Sequence, residues 1–157
     1  MTVIAWDGKT IAADRQCSNA GMKWATTKLF RLRNGEVCGI CGDWSHGMQV
    51  MAWYEDGAEP ASFPDCRSDE DWARLVLLRA DGLWTYERTP YPLRIEGCFM
   101  AFGAGADFAM GAMAMGADAR RAVEVANQFS TGCGLGCDTM TFEKPAAMKA
   151  ASARPRR

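Results

Sequence analysis

The sequence predicts an α+β chain folded as a four-layer α/β/β/α sandwich, with two antiparallel sheets at its centre. Two observations carry that expectation. The strand-like segments are joined mostly by hairpin signals, so neighbours pair antiparallel. Several of them have no polar face, so each sheet must be covered on both sides. Helical segments in two separate stretches of the chain supply the outer layers. The length of 157 residues suits one domain, and 48% hydrophobic with 24% charged residues is a globular composition.

Taken in order, Thr2-Val3-Ile4-Ala5-Trp6 is apolar on both faces, the mark of a strand buried between two layers. Asp7-Gly8 turns the chain, and Thr10-Ile11-Ala12-Ala13 returns as a second strand ending at Asp14. Residues 28–33 and 36–41 form another strand pair around Asn34-Gly35, a strong hairpin signal. A helix follows over about 45–55, with Met48, Met51, Ala52 and Tyr54 among its apolar positions, and then a polar, proline-bearing loop over 60–71. Strands at 73–79 and 83–88 flank Asp81-Gly82, and a strand at 98–102 leads into Gly103-Ala104-Gly105. Residues 106–115 read as a small-residue helix. Asp118 N-caps the next helix, which carries Ala119, Ala122, Val123, Ala126 and Phe129 at helical spacing. A last strand is expected over 138–142. From Lys144 onward the chain is rich in Ala, Lys and Arg, and is expected to be a disordered tail.

Charge and composition narrow the function classes. The tail, 144–157, carries five basic side chains and no acid, so residues 1–143 hold 13 basic against 19 acidic groups, a net of -6. An acidic body argues against nucleic-acid binding, which needs a basic stripe. The least charged stretch, 97–117, contains Asp107 and five glycines, which reads as strand, turn and helix rather than a membrane span. No basic, apolar, small-residue leader opens the chain, and seven cysteines is an odd number, so reduced thiols and a cytoplasmic setting are expected.

Three familiar chemistries fail on the residues. His46 is the sole histidine, so any Ser-His or Cys-His mechanism must run through it, yet it sits beside Ser45 at a helix start and reads as a solvated end residue. Gly103-Ala104-Gly105 would need a third glycine at 108 to bind a dinucleotide, and 108 is Phe. Cys38 and Cys41 are three apart on a strand and point to opposite faces, so they cannot share zinc without a bend. No metal and no cofactor is expected.

The N-terminus holds a fourth chemistry. Thr2 follows Met1, a context in which the initiator methionine is normally removed. Thr2 would then combine a hydroxyl nucleophile with its own α-amine, whose reference pKa of about 7.7–8.0 suits a general base near neutrality. Lys28 adds to this. Alternation places it on the face of Phe30 and Leu32, where a lysine needs an anion to stay charged, and Asp14 is the available carboxylate. An Asp14–Lys28 pair beside Thr2 would favour proton loss from its hydroxyl.

Thr2-Val3-Ile4, Ala12-Ala13-Asp14-Arg15, Thr27-Lys28-Leu29, Cys41-Gly42-Asp43 and Phe102-Gly103-Ala104-Gly105 recur, in this order, in the proteasome β-subunit family. The chain resembles the small proteasome homologues of bacteria and phages and the bacterial peptidase rings paired with ATP-driven unfoldases. The resemblance implies the N-terminal-nucleophile hydrolase fold over 1–143 and a threonine endopeptidase. Thr2 would be the nucleophile, Asp14 and Lys28 the pair that tunes its hydroxyl, and Gly42 the backbone N–H donor to the oxyanion. Positions matching the family's specificity pocket are Cys17, Thr26, Phe30, Ile40 and Trp44, mostly apolar, so cleavage after hydrophobic residues is implied. So are a homo-oligomeric ring, six- or seven-fold and stacked in pairs, an ATP-dependent unfoldase, and unfolded polypeptide as substrate.

The chain departs from that pattern in two places. Ala104 stands where the family often has Ser, and Asn127-Gln128-Phe129-Ser130 lacks the acid expected after the second long helix, leaving Ser130 or Gln128 as stand-ins. Carbonyls of Asn127, Ser130 and Cys133 match a loop that can hold a monovalent cation in the unfoldase-paired rings. A catalytically inactive ring protein with a structural role, and an amidase acting on small molecules, are the competing readings. Retained Met1 would favour the inactive ring.

Overall fold

The structure, a computed structural model, describes residues 1–66 and 68–144. The tail expected to be disordered lies, from 145 on, outside the described residues. The chain is mixed α+β; its described residues form two antiparallel sheets, a separate hairpin and three α-helices.

The first sheet is four-stranded, in the order β10 (Met100–Gly103), β1 (Val3–Trp6), β2 (Thr10–Asp14), β11 (Cys137–Thr141). The second is five-stranded and sequential: β5 (Leu29–Arg31), β6 (Val37–Gly42), β7 (Ala73–Arg79), β8 (Gly82–Tyr86) and β9 (Leu93–Ile95). Three apolar cores order the elements. Val3, Ala5 and Ala12 pack with Ala109 and Met113 of α2 (Ala106–Ala114) and with Ala122, Val123 and Ala126 of α3 (Ala119–Phe129). Ile4, Trp6, Ile11 and Ala13 turn the other way, onto Leu29, Val37, Val76, Leu78 and Leu83 of the second sheet. Cys38, Ile40, Leu75 and Leu77 cover that sheet's far face with Val50 and Trp53 of α1 (Trp44–Glu55). Strict alternation along β1 thus feeds two cores, which is why the sequence there has no polar face.

Element ends shift by a residue or two from the pattern-based reading, as fraying ends do. Two elements escape the pattern altogether. The segment after Asp14 forms a hairpin, β3 (Gln16–Asn19) and β4 (Met22–Ala25), joined through Ala20 and Gly21 with φ of 47° and 80°. Positive φ at both turn positions matches the twist of a two-residue hairpin loop, but Ala20 lacks the usual Asn or Asp signal. β4 is exposed throughout and β3 runs from the buried Gln16 to the exposed Asn19, so no apolar alternation marks them. The edge strand β9 is also largely exposed, three residues long and just past Pro90 and Pro92. Within the stretch read as a loop, Pro60–Ser62 makes a short 3-10 turn.

Two further expectations are corrected. His46 is not solvated: it is 4% exposed, because the first turn of α1 packs onto the start of β7. Lys28 is not governed by the alternation of β5, since that strand begins at Leu29. Leu29 faces the first sheet while Phe30 and Leu32 join the α1 core, and Lys28 reaches across to the first sheet instead.

Candidate active site

Asp14 closes β2 and is 0% exposed, a position that a carboxylate tolerates only if fully paired. It accepts four hydrogen bonds. Oδ1 takes the Lys28 ammonium at 2.8 Å and the Val3 N–H at 2.9 Å. Oδ2 takes the Gln16 N–H at 3.0 Å and the Gly134 N–H at 3.2 Å. Lys28, 3% exposed, donates its other resolved bond to the Met1 carbonyl at 3.1 Å. The sequence paired these two residues correctly, and the ammonium sits on the carbonyl of the Met1–Thr2 peptide bond.

Thr2 is 7% exposed between β1 and the Gly103 turn, and Met1 is 69% exposed. Thr2's carbonyl accepts the Gly105 N–H at 3.5 Å. Gly103 has φ +93°, and a Cβ there would overlap that same carbonyl oxygen, so only glycine fits. Gly132 also approaches Met1: a Cβ on it would lie 2.8 Å from the Met1 sulfur and 3.3 Å from Cβ of Ala104.

Gly42 ends β6 with φ +119°, pressed against the Trp72 carbonyl and 2.9 Å, Cβ position to Cα, from Ala73. The Asp43 N–H bonds the Trp72 carbonyl at 3.0 Å, and the Ile40 N–H bonds the Lys28 carbonyl at 3.2 Å. Ladder bonds alternate sides along a strand. Gly42's N–H therefore turns away from β7, toward the side on which Lys28 precedes β5.

A cavity of about 480 Å³ opens here, lined by Met1, Gly42 and Gly103 together with Cys41, Asp43, Glu70, Asp71, Trp72 and Arg74. Arg74 is held by two bonds to Glu87 Oε1 and stacks on Trp72 and Phe102. Burial pushes the Cys41 thiol up, against the opposing pull of the Arg74 and Lys28 cations, so it stays protonated. Burial likewise raises Cys133, partly offset by its bond to Ser130.

The expected specificity residues are only partly brought together. The Phe30 and Trp44 rings meet tilted at 6.0 Å, and Ile40 joins the same core under α1 as Phe30. Cys17 lies in the β3–β4 hairpin opposite Trp24, and the Thr26 N–H bonds Arg15. None of the five lines the 480 Å³ cavity. The reason is strand alternation: Phe30 and Ile40 point toward α1, whereas Cys41 points the other way.

Gln16 belongs to the site but was not among the candidates. It is buried, and its Nε2 donates to the Thr131 carbonyl at 3.0 Å, which ties the 131–134 segment to the strand pair bearing Asp14. Its local signal was an Asx turn two residues after an aspartate; its distant partner had none. Near Ala104, Ser130 Oγ accepts the Gly132 N–H at 3.3 Å, while Gln128 is exposed on α3. The Ser130 carbonyl takes the Cys133 N–H, and Asn127 bonds the Gly136 carbonyl through its side chain. Among the described residues, no three His, Cys, Asp or Glu side chains converge as a metal site.

No family model matches the chain, and no curated protein matches it either. Solved structures do. Thiobacillus denitrificans BPH is similar with a TM-score of 0.66 and 19% identity, over 92% of this chain and all of that one. The same protein in complex with epoxomicin gives 0.67 and 20%, over 91% and 100% of the two chains. Eukaryotic HslV from Trypanosoma brucei gives 0.67 and 19%, over 88% and 97%. At these identities the likeness is one of fold. No helix among the described residues is long and apolar enough to cross a membrane.

Proposed function

We propose that the chain is a threonine endopeptidase of a self-compartmentalising ring, built on the four-layer sandwich of the N-terminal-nucleophile hydrolases. The observation that carries this reading is the buried Lys28 ammonium, clamped by Asp14 and resting on the carbonyl of Met1 beside Thr2. Removal of Met1 frees both the Thr2 amine and that face of the ammonium. The amine then takes the proton of the Thr2 hydroxyl, and Lys28 stabilises the alkoxide as it attacks a peptide carbonyl. The Gly42 N–H, turned to the same side, donates to the oxyanion, and the leaving amine departs with the proton. Water attacks the resulting ester in the second half-reaction and regenerates Thr2.

Several supports are independent of one another. A buried ion pair is expensive, and replacing it by apolar side chains is often neutral or stabilising, so its presence beside a candidate nucleophile favours function over stability. The fold is shared with eukaryotic HslV and with a BPH that has been solved in complex with epoxomicin. By analogy with that family, the partners are copies of this chain in a six- or seven-fold ring, stacked in pairs, an ATP-dependent unfoldase, and unfolded polypeptide. Residues 1–143 form the peptidase domain on this reading, in a cytoplasmic protein. Phe30, Ile40 and Trp44, with Cys17 and Thr26 at the hairpin, remain the proposed hydrophobic specificity pocket.

A second reading, an inactive ring of the same fold, is favoured by one observation: Met1 lies close against Gly132, beside an Ala104 that replaces the serine the family often carries there. Intact mass before and after incubation with a peptide epoxyketone separates the two. That electrophile needs a hydroxyl and a free α-amine on one residue. Loss of Met1 with one adduct on Thr2 is expected; retained Met1 with no adduct establishes the inactive ring.

A further inference from the structure

His46 is the chain's only histidine, and it is buried at the junction of three segments. Its Nδ1 accepts the buried Ala73 N–H at 2.9 Å, and its Nε2 lies 3.2 Å from the Pro64 carbonyl. One state satisfies both bonds: neutral imidazole with the proton on Nε2. A second proton on Nδ1 would face the Ala73 N–H donor to donor. The His46 backbone N–H donates to Asp43 Oδ1 at 2.7 Å, so the residue binds the start of α1, the start of β7 and the chain at Pro64 together.

Gly42 sits inside that junction. It pairs with Ala73 across the ladder, and at its positive φ a Cβ would collide with the Trp72 carbonyl, which also takes the Asp43 N–H. The orientation of the Gly42 peptide is therefore set by where Trp72 and Ala73 lie, and His46 is the side chain that holds Ala73. We propose that His46 is a positioning residue for the Gly42 N–H, acting through Ala73, and that its protonation releases Ala73 and disarms the oxyanion donor. This rests on the peptidase reading for the role of Gly42, while the brace itself does not. Among the described residues, the charged groups carried by the segments around His46 are Asp43 before α1, Asp65, Asp69, Glu70 and Asp71 between Pro64 and Trp72, and Arg74 after Ala73. Phe63 adds an edge-on ring at 6.5 Å.

The device makes acid loss of activity steeper than one proton. Protonation of the Thr2 amine alone lowers log kcat with a slope of one per pH unit as pH falls. Where His46 also takes up a proton, the slope approaches two. His46→Asn puts an amide oxygen near the position of Nδ1, so it keeps the Ala73 bond and cannot titrate. His46→Leu keeps bulk and loses the bond.

Two readouts on the full chain test this. The first is hydrogen exchange at the Ala73 amide against pH, alongside exchange at the imidazole carbon Cε1, which in a chain with one histidine reports His46 alone. Expected is a loss of Ala73 protection that tracks His46 protonation in the wild type and is absent in His46→Asn. Protection independent of His46 protonation overturns the brace. The second is the pH profile of peptide cleavage. Expected are a slope of one in His46→Asn, a slope rising toward two in the wild type, and in His46→Leu a kcat at least tenfold lower with KM within about twofold. Full kcat in His46→Leu, or identical slopes, overturns the positioning role even if the brace holds. A wild type with no Met1 loss and no epoxyketone adduct overturns the Gly42 role together with the peptidase reading, and the exchange data still decide the brace. Should His46→Leu fail to fold, the wild-type and His46→Asn profiles decide alone.

Discussion

Asp14 shows how a buried charge is kept at the end of a sheet strand: three backbone N–H groups and one ammonium share its two oxygens. Removing the ammonium leaves a carboxylate with donors but no counter-charge. Lys28→Ala is therefore expected to lower stability by about 3 kcal/mol, at the low end of the cost of breaking a buried pair because three donors stay. It should also abolish peptide cleavage and epoxyketone labelling at temperatures where the variant is folded. Urea melts and labelling followed by intact mass check both, and a fully active Lys28→Ala protein would remove Lys28 from the mechanism. Gly103→Ala belongs to the same scale. Its Cβ would collide with the Thr2 carbonyl at a φ that alanine avoids. The expected result is loss of labelling at Thr2 and a lower melting temperature.

Among elements, the β1–β2 turn is more than a reversal of direction. One oxygen of Asp7 accepts the Lys9 and Thr10 N–H groups inside the turn, and the other accepts the Ala119 N–H at the start of α3. Burial pushes the Asp7 carboxyl up, but those N–H donors outweigh it, and the group titrates below its usual 3.8. A depressed carboxyl stabilises the fold at pH above the unfolded-chain value and loses that contribution as pH falls through the folded value. Wild-type stability should therefore drop below about pH 4, with a shallower drop in Asp7→Asn. The variant should be about 1–2 kcal/mol less stable at neutral pH, since it loses charge-assisted bonds. Urea midpoints between pH 6 and 2.5 measure both. The turn's Asp-Gly signal was plain in the sequence; its link to α3, 112 residues away, was not. The β3–β4 hairpin was illegible for the opposite reason. Its second strand is solvated throughout and its first passes from buried Gln16 to exposed Asn19, so no apolar period marks them, and Ala20 occupies the position where Asn or Asp would have announced the turn.

For the molecule as a whole, alkaline stability follows from the core beneath α1. Burial, with Glu55 nearby, pushes the Cys38 thiol up to about 12 from 9.0, and burial raises Tyr54 and Tyr86 as well. Groups raised on folding stabilise the protein below the unfolded value and stop doing so as pH climbs through the folded one. Unfolding free energy should fall from about pH 9 upward, and Cys38→Ala should flatten that fall at a cost of cavity formation. The basic segment is rich in Ala, Lys and Arg and is expected from that composition to be dispensable to folding. The Glu143 N–H bonds the Gly35 carbonyl, and its carboxylate meets Arg31 at 3.2 Å, which anchors the chain just before that segment. A chain ending at Lys144 should melt within about 1 °C of the full chain and keep its native mass. A lower oligomer would instead assign the tail to assembly.

The antiparallel α+β class, the two-sided burial of β1 and the Asp14–Lys28 pair were all readable along the chain. Each depends on local periodicity, or on the rule that a lysine among apolar neighbours needs an anion. Gln16, Gly134 and His46 were not readable. Their roles come from partners that sequence pattern does not connect: Thr131 for Gln16, Asp14 for Gly134, Ala73 and Pro64 for His46. Local sequence sets which side chains must be buried, because burial is a property of period and polarity. Which buried polar atom meets which is decided only when the two sheets close on each other, because hydrogen-bond geometry depends on positions that no single segment specifies.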